Sequence, residues 1–121
     1  MKTFNGILID VHNKTITRVE VEHGLQPIYD LVKCSTFELV QIDDNNDIYV
    51  DEEGLLNLTP ETKFFQIQGR PQPISGNGLI VGLDYETGDS GDTTLSLEWV
   101  KERVKFLDMF EVSMMSRFGR F

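Results

Sequence analysis

The sequence is poor in the residue types on which several classes of protein depend. A single cysteine, Cys34, excludes an internal disulfide and agrees with a reducing compartment. The two histidines, His12 and His23, are too few for a zinc site that needs three or four ligands. No apolar run approaches the roughly 18 residues of a membrane-spanning helix, and we expect neither a signal peptide nor a membrane partner.

Basic residues are also scarce. Eleven Lys and Arg stand against 20 Asp and Glu in 121 residues, which gives a formal net charge of −9. This balance argues against direct binding to nucleic acid, because the phosphate backbone repels an acidic protein. The shortage is uneven, since no base lies between Lys33 and Lys63 or between Arg70 and Lys101. These acidic stretches are typical of solvated turns, and they leave open cation binding or mimicry of a polyanion.

Apolar residues are plentiful enough for one folded domain. Hydrophobic residues make up 40% of the chain and eight residues are Phe, so the sequence is not that of a disordered protein. Alternating apolar and polar residues predict a β-hairpin of strands 3–11 and 15–21 around a turn at His12–Lys14. The same pattern predicts four further strands, over residues 36–42, 48–50, 63–68 and 79–81. Gly78 and Gly82 bound the last strand and indicate that other backbone passes close to it.

Two helices are predicted from apolar spacing. The first covers Leu25–Lys33, and the second is capped by Thr94 or Ser96 and continues to Leu107. A polar loop over residues 43–47 joins two of the strands. The expected fold is one α+β domain over residues 1–107, with a mostly antiparallel sheet of about five to six strands and two helices.

The remaining residues, 108–121, form an apolar and cationic C-terminal extension. Residues 101–121 hold five bases and three acids, a net charge of +2 on an otherwise acidic chain. Three apolar residues of the extension are candidates for contact with another protein: Phe110, Met114 and Phe118. We therefore expect self-association of this segment with a second, acidic copy of the chain.

The motifs with recognisable chemistry fail in specific places. Residues 43–54 resemble a calcium loop, but Ile48 stands where glycine is needed and Gly54 where a bidentate Glu is required. The glycines at 76, 78 and 82 miss the dinucleotide spacing by one residue. Cys34 is expected to be a small core residue. The sequence indicates no metal site, no cofactor and no catalytic residues; enzymatic activity stays open, with the weight against it.

Five segments in order carry a resemblance to a known family: Gly6-Ile7-Leu8-Ile9, Leu25 to Val32, Asp51-Glu52-Glu53-Gly54-Leu55, Asn77-Gly78-Leu79-Ile80-Val81-Gly82 and Thr93-Thr94-Leu95-Ser96. Over about residues 4–107 the chain resembles a small uncharacterised domain family encoded mainly by bacteriophages, plasmids and mobile elements. The resemblance supplies no activity. It implies a phage or prophage accessory protein that acts in the bacterial cytoplasm.

Two alternative functions are therefore expected for this protein. In the first, the protein binds a host small molecule such as a nucleotide signal, through four candidate contacts: Arg70, Gln72, Asn77 and Thr94. A phosphorylated ligand needs a cation and backbone N–H groups, which these segments offer. In the alternative, the protein is an acidic interaction module, a DNA mimic or an inhibitor of a host protein, whose candidate contacts are Asp43, Asp44 and Asp47.

Overall fold

The computed structural model describes residues 3–117. Its elements in chain order are β1 (Thr3–Asp10), β2 (Thr15–Glu22), α1 (Gln26–Val32), β3 (Phe37–Asp43), β4 (Asn46–Asp51), β5 (Lys63–Ile67), β6 (Ile74–Ser75), β7 (Gly78–Leu83), β8 (Ser90–Gly91), α2 (Leu97–Arg103), β9 (Val104–Asp108) and α3 (Met109–Arg117). None of the helices in this range is long and apolar enough to span a membrane.

The strands form two antiparallel sheets. The larger has the order β2-β1-β7-β4-β3, with the short β8 also paired to β7, and the smaller has the order β6-β5-β9. The predicted α+β class and antiparallel pairing are confirmed. The expectation of one sheet and two helices is wrong, since the described part of the chain has two sheets and three helices.

Alternation along the strands sorts side chains between two faces of the larger sheet. Ile7, Ile9 and Ile80 point to the smaller sheet and α2, where they pack with Phe65 and Val100. The opposite face packs against α1 and comprises Phe4, Val21, Tyr49, Leu79 and Val81 together with Ile28 and Val32 of the helix. The molecule is therefore layered as helix, sheet, sheet, with α3 on the outer face of the smaller sheet.

The β1–β2 hairpin agrees with its prediction. Its turn is held by Asp10, whose carboxylate accepts hydrogen bonds from the His12 and Asn13 amides at 3.0 and 3.1 Å. Burial acts to raise the pKa of Asp10, but these bonds, a third from the Asn13 side chain and the charge of Lys33 lower the pKa overall. Lys14 closes the turn in the left-handed region, with φ of 54°.

The second predicted helix is correct only in its first half. Ser96 is the N-cap, and its hydroxyl accepts from the Trp99 amide at 3.1 Å. The helix ends at Arg103, and residues 104–108 form β9 instead of continuing to Leu107. Val104 and Phe106 turn inward to the main core while Leu107 faces α3, because β9 pairs with β5 from Ile67↔Val104 to Lys63↔Asp108.

The predicted loop between β3 and β4 is shorter than expected. The strands β3 and β4 reach Asp43 and Asn46, so the predicted five-residue loop over 43–47 is a tight turn. The predicted extension starts with Asp108, the last residue of β9, and continues as α3, whose Val112 is buried against Phe64 and Leu107. Phe118 lies outside the described residues.

Candidate functional site

The turn at residues 51–54 fixes one side of a groove. Asp51 Oδ1 accepts from the Glu53 amide at 2.9 Å, and the Thr36 hydroxyl donates to Glu53 Oε1 at 3.1 Å. Gly54 lies so close to β6 that an added Cβ would be 3.1 Å from the Ser75 carbonyl oxygen. The turn is thereby held between the start of β3 and the smaller sheet, and it sets the direction of the leucines that follow.

The groove has a volume of about 380 Å³ and runs between β3–β4 and residues 70–75. Its more buried wall is apolar and includes Val40, Val50 and Ile74. On the outside it is bordered by Leu55 and Leu56, which are 50% and 73% exposed. Exposed neighbouring leucines beside a concave apolar wall are typical of a binding surface.

Polar groups enter the groove from both sides. Arg70 and Gln72 line it from the segment after β5. Gly69, with φ of +96°, allows the tight turn that precedes Arg70, and the Arg70 guanidinium donates to the Gln41 carbonyl of β3. Three carboxylates also line the groove, those of Glu38, Asp51 and Glu52. The groove can hold a molecule with an apolar body and several hydrogen-bonding groups.

The other two predicted ligand contacts lie elsewhere. Asn77 is 2% exposed, and its side chain accepts from the Val11 amide and donates to the Leu31 carbonyl, both at 3.1 Å. Thr94 is exposed and its hydroxyl accepts from Asn46 Nδ2 at 2.8 Å. The structure thus brings Arg70 and Gln72 together and gives Asn77 a bridging position between β7, the end of β1 and α1.

Asn46 is a fully buried residue that the sequence did not single out. Its Nδ2 donates to Asp43 Oδ1 at 3.0 Å and to the Thr94 hydroxyl, while its Oδ1 accepts from the Thr93 hydroxyl at 2.6 Å and the Thr94 amide at 3.1 Å. All the hydrogen-bonding capacity of the amide is used. The one available signal was an asparagine two residues before the apolar run Ile48-Tyr49-Val50.

The two base-free acidic stretches meet at one end of the larger sheet. The Tyr85 hydroxyl donates to the Asp44 carbonyl, and the Leu83 amide donates to the Asn45 carbonyl at 3.0 Å. The β3–β4 turn with Asp43, Asp44 and Asp47 therefore lies beside the β7–β8 hairpin, from which Tyr85 projects with 72% exposure. We call this surface the acidic tip, comprising residues 43–47 and 84–89.

Cys34 packs beside the core under α1, and burial, followed by the charge of Asp51, raises the pKa of its thiol, which disfavours the nucleophilic thiolate. Within residues 3–117 no three His, Cys, Asp or Glu side chains are grouped to hold a metal ion.

Two of the three predicted contact residues of the extension, Phe110 and Met114, lie on α3, and the third, Phe118, lies outside the described residues. Phe110 is 72% exposed and Met114 is 36% exposed. Both point away from the side of the helix on which Val112 is buried. Phe110 and Met114 therefore form an exposed apolar surface, as predicted from the sequence, on a helix whose other side covers the smaller sheet.

The chain is similar to proteins whose activity their names do not state. The family described as "Domain of unknown function (DUF3846)" matches residues 1–111. The "Uncharacterized protein y4iR" of Sinorhizobium fredii is 30% identical over 79 residues, which are 64% of this chain and 48% of that protein. The chain thus spans about half the length of this curated relative, and no solved structure matches it. Since the family match extends over most of the 121 residues, the chain belongs to the DUF3846 family, as an uncharacterised domain of the kind that the sequence predicted.

Proposed function

We propose that this protein is a non-enzymatic accessory protein of a phage or mobile element that binds a host small molecule in the bacterial cytoplasm. The observation that supports this proposal is the groove lined by Arg70 and Gln72. Its volume of about 380 Å³ lies within the range of roughly 300–1,000 Å³ that is usual for small-molecule sites.

The lining favours a ligand with a flat apolar part and polar edges. Leu55 and Leu56 offer exposed aliphatic surface, and Ile74 continues it into the groove. Gln72 can both donate and accept hydrogen bonds, whereas Arg70 only donates and carries charge. A nucleotide combines a flat base, hydrogen-bonding edges and an anionic group, and we propose a nucleotide signal as the ligand class.

Thermal melting with a panel of nucleosides and of linear and cyclic nucleotides tests this proposal. Ligand at about 100 times its Kd stabilises the folded state by about 2.7 kcal/mol, so a binding member should raise Tm by about 5 °C or more. Leu56→Ser should abolish the rise, because it removes apolar surface from the groove. Leu58→Ser is the matched control, since Leu58 lies in the same loop and does not line the groove.

A panel without any effect on Tm would contradict the proposal. So would a rise in Tm that Leu56→Ser and Leu58→Ser reduce equally, because such a result would place the ligand outside the groove.

The acidic tip supports a second candidate, an acidic module that mimics DNA or inhibits a host protein. The turn with Asp43, Asp44 and Asp47 adjoins a second acidic hairpin, which concentrates negative charge around the exposed ring of Tyr85. Such a surface attracts the basic faces of nucleic-acid-binding proteins. In this function the protein would capture a DNA-binding protein from a bacterial lysate, and duplex DNA would displace it.

The triple variant Asp43→Asn, Asp44→Asn and Asp47→Asn should lose that capture while keeping the acceptor oxygens of the turn. Glu20→Gln, Glu22→Gln and Glu61→Gln together make a control that removes the same charge from exposed positions elsewhere. Equal loss of capture by the two triple variants would show that net charge alone acts, and the acidic tip would have no specific role.

We also propose that α3 supports self-association. Phe110 and Met114 expose apolar surface on this helix, and Met-rich surface adapts readily to a partner. A second copy of the chain is the proposed partner.

A further inference from the structure

A hollow beside the groove gathers basic side chains of this acidic protein. It has a volume of about 460 Å³, and its lining includes Arg70, Arg103 and Lys105 together with Gln66 and Gln68. We call it the basic hollow. Arg70 is the one base in the sequence between Lys63 and Lys101, and the fold places it with Arg103 and Lys105, which follow that interval in the sequence.

Strand pairing brings these residues together. The register of β5 on β9 sets Gln66 opposite Lys105, and the Gln68 amide donates to the Arg103 carbonyl at 2.9 Å. The turn at Gly69, closed by a hydrogen bond of 3.0 Å from the Arg70 amide to the Ile67 carbonyl, returns Arg70 over the same end of the smaller sheet. The register of β5 on β9 and a hydrogen-bonded turn thus bring the cluster together.

Both arginines are held in place. The Arg103 guanidinium lies 4.2 Å from the centre of the Trp99 ring, and its Nη1 donates to the Trp99 carbonyl at 3.1 Å. Arg70 is held by the Gln41 carbonyl. Side chains that are already oriented lose less conformational freedom when a ligand binds, so they form stronger anion sites than free surface bases do.

Three carboxylates, those of Glu38, Asp51 and Glu52, line the groove that Arg70 also borders, but they do not line the basic hollow. Among the described residues no carboxylate lines the basic hollow. The carboxylate of Glu102, 73% exposed, has its Oε2 3.6 Å from Arg103 Nη1. An exposed pair of this kind is screened by solvent, so Glu102 competes only weakly for the guanidinium. Three positive charges in one concave surface raise the local concentration of anions.

We infer that the basic hollow is an anion subsite that holds the phosphate of an organic phosphate ligand, whose apolar part occupies the groove. Arg70 and Pro71 line both concavities, so one molecule can reach from one to the other. The inference rests on the proposed function for the position of the apolar part. Arginine fits the role because its planar N–H groups pair with two phosphate oxygens at once.

Binding of inorganic pyrophosphate tests the subsite without the groove. Trp99 is the sole tryptophan of the chain, and the Arg103 guanidinium lies over its ring, so Trp99 fluorescence reports on the hollow directly. We expect a saturable change in fluorescence, together with NMR shifts of the Gln68, Gly69 and Arg70 amides. The apparent Kd should rise with salt concentration.

Variants of the hollow should change this Kd in opposite directions. Arg103→Gln and Lys105→Gln should each weaken pyrophosphate binding about fivefold or more, which is the loss of one charge-assisted hydrogen bond. Glu102→Gln should tighten it about twofold, since the competing carboxylate is removed. Lys14→Asn is the matched control, because it removes one positive charge from the β1–β2 turn. Asn tolerates the left-handed backbone conformation that Lys14 adopts.

The outcomes separate the inference from the proposed function. No saturable response to pyrophosphate up to about 10 mM would overturn the subsite, and so would equal weakening by Lys105→Gln and Lys14→Asn. Nucleosides that raise Tm as much as the corresponding nucleotides do would support binding in the groove. The same result would overturn the subsite, because the phosphate would then contribute nothing. If Lys105→Gln abolishes the response to pyrophosphate and Leu56→Ser keeps it, the result supports the subsite, whatever ligand the groove binds.

Discussion

Gly82 illustrates how closely the backbone segments of this fold approach one another. A Cβ added at Gly82 of β7 would be 1.8 Å from the carbonyl oxygen of Asp92, which is backbone and has little freedom to move. The Asp92 segment is itself tied to β1, because the Asp92 carboxylate accepts from the Asn5 amide at 2.7 Å. The glycine pattern around this strand correctly predicted such an approach, although not which segment makes it.

Gly82→Ala should therefore destabilise the protein by about 3 kcal/mol or more, a cost at the upper end of overpacking. Gly91→Ala, at the position paired with Gly82, is the control, since its nearest contact would be an ordinary 3.7 Å to the Asp84 Cβ. Urea denaturation measures both variants. Similar stabilities for the two would show that the Asp92 segment moves aside at no cost.

Asp47 makes stability depend on pH at the residue scale. Burial, and then the Asp43 carboxylate, raise the pKa of Asp47 from its ordinary value of 3.8. Because folding raises the pKa of Asp47, the folded state binds the proton more tightly than the unfolded state does. This difference stabilises the fold fully at pH values below the unfolded pKa. This contribution is lost as the pH rises through the folded pKa.

Asp47→Asn, which resembles the protonated acid, should raise the free energy of unfolding at neutral pH. The gain should not exceed about 0.5 kcal/mol, because solvent screens the partly exposed carboxylate. It should vanish near about pH 3, where Asp47 is protonated in both states. Asp44→Asn removes a charge from the same turn and is the comparison; equal pH profiles of the two variants would rule out the role of Asp47.

At the scale of elements, residues 104–108 show where periodicity reaches its limit. Val100, Val104 and Leu107 have the spacing of a helical stripe, yet only Val100 lies in a helix. Val104 and Phe106 also have the alternation and the side-chain types of a strand. The presence of β5 as a pairing partner decides between these patterns, and no local window of sequence contains that partner.

The helix that follows contributes to the core. Val112→Ala should lower the free energy of unfolding by about 1–2.5 kcal/mol, because Val112 is buried against Phe64 and Leu107. Ser113→Ala, at the next and exposed position of α3, should change stability very little. Urea midpoints compare the two, and an unaffected Val112→Ala variant would mean that α3 is not bound to the smaller sheet in solution.

At the scale of the whole molecule, charge is gathered at separate places. The acidic tip unites two stretches that are distant in sequence, and the basic hollow unites Arg70 with Arg103 and Lys105. The net charge of −9 is therefore the sum of unlike surfaces. Either surface can select a partner of opposite charge.

Self-association through α3 is a prediction at the same scale. Light scattering should give a mass above the 13.8 kDa of one chain, and Phe110→Ser with Met114→Ser should return it to that mass. Phe110→Ser should leave stability nearly unchanged, because Phe110 is 72% exposed, whereas Met114→Ser should cost about 1 kcal/mol, because Met114 is only 36% exposed. Ser113→Ala, which alters the same helix without removing apolar surface, should keep the wild-type mass. A monomeric wild-type chain would refute the prediction.

The sequence by itself determined the properties that depend on neighbouring residues. The β1–β2 hairpin, the first helix, the buried glycine-bounded strand and the start of the second helix, with Thr94 or Ser96 as its cap, follow from alternation, spacing and local hydrogen bonding, which a short window contains. Arg70 and Gln72 could be proposed as ligand contacts from their chemistry alone. Only the tertiary structure decided the second sheet, the strand at residues 104–108, the bridging position of Asn77 and the meeting of Arg70 with Arg103. These depend on which strands pair across long intervals of chain, and that choice is made by packing of the whole core rather than by any local pattern.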